Sequence, residues 1–148
     1  MMRVPEDLRT YFGIRGVRWT RRREEIFAAL CACAEHPTAE ELFQKVGVRD
    51  EGMSLATVYS TLELFTRRGL CRRISPAHGP DRRSGGARYD ADTTEHAHVV
   101  TADGRVIDLP DDLGREVLAH LPAGVLEAVR ARTGVRVGRI SIEFIEEV

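Results

Sequence analysis

Three amphipathic segments, each preceded by a hydroxyl-bearing residue, constrain most strongly how the first half of this chain folds. Thr20, Thr38 and Ser54 are residues that favour helix N-caps, and Glu41 follows Thr38 at the spacing of a capping box. Apolar residues recur at helical spacing after each cap, and a proline or glycine follows each segment. The pattern therefore predicts three short helices that pack against one another.

A short basic strand is predicted after the third of these helices, over residues 70–74. Three helices followed by a basic strand are the order of a winged helix-turn-helix domain, whose last helix enters the DNA major groove. Small and hydroxyl-bearing side chains at the start of that helix suit this entry, and the basic pair Arg72 and Arg73 would lie on the wing near phosphates. The predicted DNA-binding residues are Arg23, Ser54, Ala56, Thr57, Tyr59, Ser60 and Arg72. The alternative is a three-helix bundle with no DNA partner, whose arginines are only solvated.

The periodicity changes after residues 75–87, a stretch rich in proline and glycine that predicts a domain boundary. Other predicted elements are a short helix over 5–12, strands over 87–90, 97–101 and 105–109, helices from 110 and over 123–133, and a long strand over 135–148. The predicted fold class is α+β: an N-terminal winged helix-turn-helix domain (1–77), a hinge (78–87) and a small α/β dimerisation domain (88–148). No face of the second domain is large, so we expect it to share its core with a second copy.

Composition and charge limit the kind of protein this is. Of the 148 residues 43% are hydrophobic, which is enough for a core, yet no apolar run is long enough to span a bilayer. The N-terminus lacks the apolar segment of a signal peptide, so we expect a cytoplasmic protein with no membrane partner. The three cysteines form no Cys-x-x-Cys pair. Net positive charge in the first half and net negative charge in the second suit nucleic acid and a cation, respectively.

Two histidines, His96 and His98, stand close together in a stretch that also carries several carboxylates. Alternate side chains of a strand point to the same face, so both imidazoles would face the same way. Asp108 joins them only if the turn between the strands has three residues, with Gly104 left-handed; a two-residue turn would pair His98 with Leu109 instead. Histidine and carboxylate ligands suit Fe(II), Mn(II), Zn(II) or Co(II), with oxygen donors favouring iron and manganese. The alternative is an exposed strand with two solvated histidines.

Four motifs together resemble the ferric uptake regulator (Fur) superfamily of bacterial metal-dependent repressors. They are Gly16-Val-Arg-Trp-Thr20 continuing to Arg23, His36-Pro-Thr-Ala-Glu-Glu-Leu-Phe43, Met53-Ser-Leu-Ala-Thr-Val-Tyr59 with Leu62 and Gly69-Leu70, and His96-Ala-His98 followed by Gly104-Arg-Val-Ile-Asp108. The resemblance covers about residues 16–109. It implies a homodimer that binds a palindromic operator in double-stranded DNA, with a regulatory metal held between the two domains of each subunit.

The resemblance also implies a ligand set and a cofactor. The family's metal ligands match His36, Asp90, His96, His98 and Asp108 in this chain. We expect one regulatory Fe(II) or Mn(II) per subunit, with Zn(II) possible in vitro. The family's two Cys-x-x-Cys pairs have no counterpart, because 99–103 and 145–148 contain no cysteine, so no structural zinc held by four cysteines is expected. Ala97 replaces the acid of a further family site, which is therefore not predicted.

The carboxylate ligands indicate one branch of the family. Both are aspartates, and aspartate at the second position resembles the peroxide-sensing PerR branch. His36 and His96 match the histidines that are oxidised in that branch. We expect a PerR-like repressor; the alternative is an iron- or manganese-uptake regulator of the Fur type without peroxide sensing. An enzyme is not expected, because the sequence shows no separate general base or substrate pocket.

Overall fold

The computed structural model of the chain describes residues 2–48, 50–74 and 86–147. Most of the predicted hinge, residues 78–85, lies outside the described residues. Within these ranges every helix is too short or too polar to cross a membrane. The elements in chain order are α1 (Leu8–Ile14), α2 (Arg21–Cys31), α3 (Ala39–Val46), α4 (Leu55–Arg67), β1 (Arg72–Ile74), β2 (Arg88–Asp90), β3 (His98–Val100), β4 (Val106–Asp108), α5 (Asp111–Ala119), α6 (Val125–Thr133) and β5 (Glu143–Ile145).

The three predicted helices α2, α3 and α4 are confirmed, and each begins at its predicted cap. Thr20 and Ser54 each accept a hydrogen bond from the backbone amide three residues later, at 3.2 and 3.1 Å. Thr38 accepts from the Glu41 amide at 3.1 Å, and the Glu41 carboxylate accepts from the Thr38 amide at 2.9 Å. These bonds satisfy amides that the first helical turn leaves without intrahelical partners.

Helix α1 begins later than the sequence predicts. The predicted range is residues 5–12, whereas the helix runs over Leu8–Ile14. The cap is Asp7, whose carboxylate accepts a hydrogen bond from the Thr10 amide at 3.0 Å. An aspartate cap therefore determines the start, and Pro5 lies before the helix.

An aromatic cluster from α1, α2 and α4 forms the centre of the first structural unit. Phe12, Phe27 and Phe65 are each 0% exposed. Their ring centroids lie 5.5 to 5.6 Å apart, and Phe27 meets the other two edge-on, at 83° and 87°. This arrangement is favourable for aromatic quadrupoles, and it fixes α4 against α1 and α2.

The cysteines belong to the same unit and are free thiols. Cys31 and Cys71 are buried in the core, and this burial raises the pKa of Cys31 to about 12 and the pKa of Cys71 to about 11. Cys33 is partly exposed, and its sulfur accepts a hydrogen bond from the Lys45 ammonium at 3.1 Å. The two buried cysteines act as small apolar fillers of the core.

Strand β2 pairs with β1 in the first unit, although the predicted boundary assigns it to the second. The two strands are antiparallel, with Arg72 opposite Asp90. Tyr89 and Ala91 are buried in the core of the helices, and the Tyr89 amide donates to a carbonyl just before α3 at 3.0 Å. Pairing between strands that are more than ten residues apart in sequence leaves no local signal, so the sequence alone groups residues 88–91 with the strands that follow them. We propose that the first unit ends after Ala91.

The second unit contains a three-stranded sheet with the order β4-β3-β5. Strands β3 and β4 are antiparallel, and His98 lies opposite Asp108. The turn between them has Gly104 at φ 83°, and its ends are joined by a 2.9 Å bond from the Thr101 amide to the Arg105 carbonyl. The three-residue turn and the register that it sets are therefore confirmed.

The C-terminal segment differs from the prediction of a long strand over residues 135–148. Among the described residues of this range, 135–147, the strand is limited to Glu143–Ile145, which pair in parallel with β3. Strand β3 is three residues long, so it pairs with a strand of that length only. Gly138 and the neighbouring arginines also interrupt the alternation of apolar and polar residues that a strand requires. Helix α6 starts at Val125 instead of residue 123, because Gly124 is left-handed at φ 77°.

Candidate metal centre

Five side chains with metal-binding atoms converge where the two units meet. One ligand atom from each lies within 4.8 Å of all the others: His36, Asp90, His96, His98 and Asp108. The first two come from the first unit and the other three from the second. Metal–ligand bonds of about 2.0–2.2 Å put opposed ligand atoms roughly 4 Å apart, so a slight contraction brings this group to coordination distance. The structure thus brings together all five residues that the family resemblance implies.

His36 reaches the cluster from the loop between α2 and α3. Its φ of 34° is in the left-handed region, which costs a residue with a side chain about 1–3 kcal/mol. Its Nε2 lies 2.6 Å from Asp108 Oδ1, and its Nδ1 lies 3.5 Å from Asp90 Oδ1. The ring is 4% exposed and spans the space between the carboxylates of the two units.

His96 and His98 are held by the β3–β4 hairpin and the segment that precedes it. His98 lies opposite Asp108 in the ladder. The Nδ1 of His96 is 2.9 Å from the Thr94 carbonyl, so this nitrogen donates and Nε2 faces the cluster. His96 Nε2 lies 3.1 Å from both Asp90 Oδ2 and Asp108 Oδ1.

Several buried atoms of the cluster have no hydrogen-bond partner among the described residues. They are Asp90 Oδ2, His96 Nε2, and both ring nitrogens of His98. His96 Nε2 is close to two carboxylate oxygens, but its geometry is not that of a hydrogen bond. Buried polar atoms without partners cost free energy, and one cation among them would satisfy three of the four. The residues present therefore fit a bound metal ion.

The charges of the cluster are strongly coupled. The carboxylates of Asp108 and Asp90 raise the pKa of His96 to about 10. Burial raises the pKa of Asp90, but the neighbouring His96 and His98 more than offset this and hold that pKa well below its usual range. Burial likewise raises the pKa of Asp108, but His36 and His96 outweigh this effect and hold that pKa well below its usual range. In the metal-free protein a proton on His96 thus provides positive charge between the two carboxylates.

Most of the predicted DNA-contacting residues lie on one exposed surface of α4. Ser54, Ala56, Tyr59 and Ser60 are exposed, and Thr57 is half-buried. The Tyr59 hydroxyl donates to the Glu40 carboxylate on α3, which holds the ring against the neighbouring helix. Arg23 belongs to α2 and not to α4, and its guanidinium donates to the Arg18 carbonyl at 2.7 Å.

Arg72 does not lie on the exposed face of β1, where the prediction requires it. Its side chain is 16% exposed, its guanidinium donates to the Thr93 carbonyl, and it lies 3.7 Å from the Glu95 carboxylate. Neighbouring residues of a strand face opposite ways, so Arg73 is the exposed member of the pair. The sequence identifies the basic pair, but the choice of face depends on pairing with β2.

Two further features near the cluster carry no sequence motif. A cavity of about 260 Å³ opens on His96 and His98 and is also lined by Arg72, Arg73 and Arg139. Arg88 is buried beside the potential ligand Asp90 and bonds to both units. In the sequence Arg88 cannot be told from a solvated surface arginine. The cavity is formed by residues from distant segments, so the local sequence pattern predicts neither feature.

Comparison with known proteins supports the interpretation of the five clustered residues as a metal site. The sequence model of the ferric uptake regulator family matches residues 14–122. The chain is 36% identical over 100 residues to the ferric uptake regulation protein of Brucella abortus biovar 1, covering 66% of this chain and 66% of that protein. It is 32% identical over 104 residues to the peroxide-responsive repressor PerR of Staphylococcus saprophyticus, covering 70% of this chain and 66% of that protein. The chain thus matches just under two thirds of the length of these relatives.

Solved structures extend the likeness to nearly the whole fold. The ferric uptake regulator of Pseudomonas aeruginosa, solved with manganese, superposes with a TM-score of 0.64 at 26% identity, covering 94% of this chain and 96% of that one. The family match spans helices α2, α3 and α4, the exposed surface of α4 and all five clustered residues. This protein is a member of the ferric uptake regulator family.

Proposed function

We propose that this protein is a metal-dependent, DNA-binding transcriptional repressor with one regulatory metal ion per subunit. The observation that carries the proposal is the convergence of five potential ligands from two structural units within 4.8 Å. The exposed small and hydroxyl-bearing face of α4 supports the DNA-binding part. A DNA operator as the partner implies that the protein works in the cytoplasm, and the proposal assigns it no catalytic activity.

The ligand positions indicate how a metal would act on DNA binding. His36 and Asp90 belong to the unit that carries α4, whereas the other three ligands belong to the unit with the three-stranded sheet. A bound cation would hold the two units in one arrangement. If that arrangement is the one that binds the operator, metal favours DNA binding by shifting the population of conformations.

We propose Fe(II) or Mn(II) as the regulatory ion. Three imidazoles and two carboxylates form a donor set without thiolate, and the oxygen donors favour these ions over softer ones. The Pseudomonas aeruginosa relative, solved with manganese, is consistent with this choice. Zn(II) also accepts nitrogen and oxygen ligands, and it is expected to bind in vitro.

We further propose that two copies associate through the second unit. Its own core among the described residues is small, formed by Val100 and Val106 with Ile74 of the first unit. Large apolar residues of this unit are exposed in the single chain: Leu113, Leu121, Leu126, Val129, Val135, Phe144 and Ile145. A two-fold dimer would cover them and place two α4 helices on one palindromic operator.

The deciding experiment measures operator binding with and without metal. Genomic fragments selected by the Mn(II)-loaded protein are tested for a palindromic core, and one fragment is then used in a mobility-shift assay. We expect binding with Mn(II) or Fe(II), release on chelation and recovery on adding metal back. Sequence-specific binding that is equally tight in chelator would contradict metal dependence, and the absence of any sequence-specific binding would contradict the repressor.

Arg73 and Arg72 form a matched pair for testing the wing. Arg73→Ala should make the negative slope of the logarithm of the association constant against log salt concentration shallower by about 0.9, because one phosphate contact is lost. Arg72→Ala should leave the slope unchanged, because its guanidinium already bonds to Thr93 and Glu95. The slopes are measured by fluorescence anisotropy at saturating Mn(II). Equal slopes for wild type and Arg73→Ala would remove Arg73 from the proposed interface.

Metal affinity should increase with pH. The pKa of His96 is raised to about 10 in the metal-free protein, so this ring is protonated at neutral pH. A coordinating histidine must lose that proton, so each bound metal releases one and affinity rises about tenfold per pH unit below the pKa. Competition titrations with Mn(II) between about pH 6.5 and about pH 8 test this. Calorimetry in two buffers with different ionisation heats counts the released protons, and a flat affinity would contradict the prediction.

Within this function, we propose that the repressor senses peroxide. Both carboxylate ligands are aspartates, and the cavity of about 260 Å³ beside His96 and His98 offers a small oxidant a route to the cluster. Fe(II), when bound, supplies the redox chemistry that activates peroxide. In the net change a histidine ring, His36 or His96, gains one oxygen atom in place of a C–H hydrogen that moves to nitrogen, and peroxide leaves as water.

Mass spectrometry of the Fe(II)-loaded protein after brief peroxide treatment tests this step. We expect one added oxygen on a peptide containing His36 or His96, together with loss of operator binding. The Mn(II)-loaded protein is the control and should stay unmodified. Operator binding that survives peroxide with unmodified histidines would favour the second candidate, an iron- or manganese-uptake regulator, which the 36% identity to the Brucella protein supports.

A further inference from the structure

Arg88 is a buried charge that no motif explains. It lies in β2, on the same strand as the potential ligand Asp90, and it is 8% exposed. A buried guanidinium is costly unless it is paired and its donors are satisfied. Its carboxylate partner is Glu41, at 3.1 Å, and half of the Glu41 side chain remains exposed. Nη2 of Arg88 also donates to the Glu41 carboxylate, at 3.5 Å, while Nη1 and Nε donate to main-chain carbonyls.

The main-chain contacts of Arg88 link both units next to the ligands. Its Nη1 donates to the His36 carbonyl at 3.0 Å and to the Glu35 carbonyl at 3.4 Å, in the loop that carries the first ligand. Its Nε donates to the Gly104 carbonyl at 2.9 Å, in the turn that sets His98 opposite Asp108. One planar side chain thus joins the backbone of His36 to the hairpin of the second unit.

His36 needs such support because of its backbone. Its φ of 34° is unfavourable for a residue with a side chain, and the following residue is proline, which restricts the conformation of His36 further. Without an external restraint the loop would relax to a commoner conformation, which would turn the imidazole away. The bond from Arg88 to the His36 carbonyl holds the peptide that determines where this ring lies.

We propose that Arg88 is a positioning residue for the metal centre: it holds the His36 main chain and the turn at Gly104 at one separation, so that ligands from both units meet. The inference rests on the proposed metal-binding function. Glu41 extends the same network, because its carboxylate both completes the α3 capping box and pairs with Arg88. The start of α3, the His36 loop and the β3–β4 turn are therefore connected through one guanidinium.

The test uses Arg88→Lys and Arg88→Ala in the whole 148-residue chain, with Mn(II) as the probe. Lysine keeps a charge that pairs with Glu41, but a point-like ammonium cannot span three carbonyls as the guanidinium fork does. Arg67→Ala is the matched control, because that arginine is exposed and its one carboxylate partner among the described residues is Glu63 of its own helix. Affinities come from competition titrations, and thermal melts are recorded with and without Mn(II).

Positioning and plain structural support predict different results. If Arg88 positions the ligands, Mn(II) affinity falls about 10- to 100-fold in both variants, as it does when other residues that orient metal ligands are replaced. The metal-induced rise in Tm then also becomes smaller. If Arg88 only stabilises the fold, the metal-free Tm falls while affinity stays within about threefold of wild type, which would overturn the proposal. Failure of both variants to fold would also overturn it.

A metal-free measurement separates this inference from the proposed function. The Tyr89 amide bonds to the Pro37 carbonyl at 3.0 Å, beside the His36 loop. In Arg88→Lys this amide should exchange with solvent faster, while the Val58 amide within α4 should be unchanged. Wild-type protein that binds no Mn(II), Fe(II) or Zn(II) would refute the metal function alone. Unchanged exchange at Tyr89 would refute the positioning role alone.

Discussion

Replacing Asp90 with asparagine, or His96 with glutamine, is expected to weaken Mn(II) binding by at least about 100-fold. This loss is larger than that expected when a residue that only supports a ligand is replaced. Each change removes a potential ligand from a different structural unit. Asp90→Asn keeps the size of the side chain and removes its charge, so the effect reports coordination and not packing. Competition titration gives the affinity, and a mobility-shift assay should show parallel loss of metal-dependent operator binding.

Glu95→Gln is the matched control for these two variants. Glu95 is an acid next to His96 in sequence, but its side chain is 53% exposed and it lies outside the cluster of five. Its removal should leave Mn(II) affinity nearly unchanged. An additional check follows from the coupled charges: Asp90→Asn should lower the pKa of His96, because one of the two carboxylates that raise it is gone. Wild-type affinity in either ligand variant would exclude that residue from the site.

Phe27→Ala is expected to destabilise the protein by about 3–5 kcal/mol, a large fraction of the roughly 5–15 kcal/mol that stabilises most domains. Phe27 is fully buried and contacts the rings of Phe12 and Phe65, so the change leaves a cavity where three helices meet. Denaturant titration followed by circular dichroism measures the free energy of unfolding.

Ile14→Ala provides the comparison for the core substitution. Ile14 ends the helix that contributes Phe12, but it is 78% exposed. Its replacement should change the free energy of unfolding by no more than about 0.5 kcal/mol. A loss below about 1 kcal/mol for Phe27→Ala would mean that the aromatic cluster is not the main support of α4.

Features that depend on short stretches of sequence are predictable. The caps at Thr20, Thr38 and Ser54 determine where helices start through bonds to amides three residues away, so the information is local. The β3–β4 register follows from the left-handed Gly104, which is also a local property. The convergence of the five potential ligands is expected only through the family resemblance, since spacing alone links His96, His98 and Asp108.

Features that depend on distant partners are not predictable in the same way. Strand β2 joins the first unit because it pairs with β1 across residues 75–85, and nothing in Arg88–Asp90 itself indicates that partner. Which of the two arginines of β1 faces inward depends on the same strand pairing, so the sequence does not distinguish Arg72 from Arg73. The C-terminal strand stops at three residues because its neighbour β3 is short, and that neighbour lies 45 residues earlier in sequence.

The buried thiols have a consequence for oxidative chemistry. Peroxide attacks a cysteine as its thiolate, and burial raises the pKa of Cys31 to about 12 and that of Cys71 to about 11, so each is almost entirely protonated at neutral pH. Two of the three thiols are thereby removed from competition for the oxidant. Peroxide that reaches this protein therefore meets few reactive thiols, and under the proposed peroxide-sensing function a larger share of each dose would remain for the histidines.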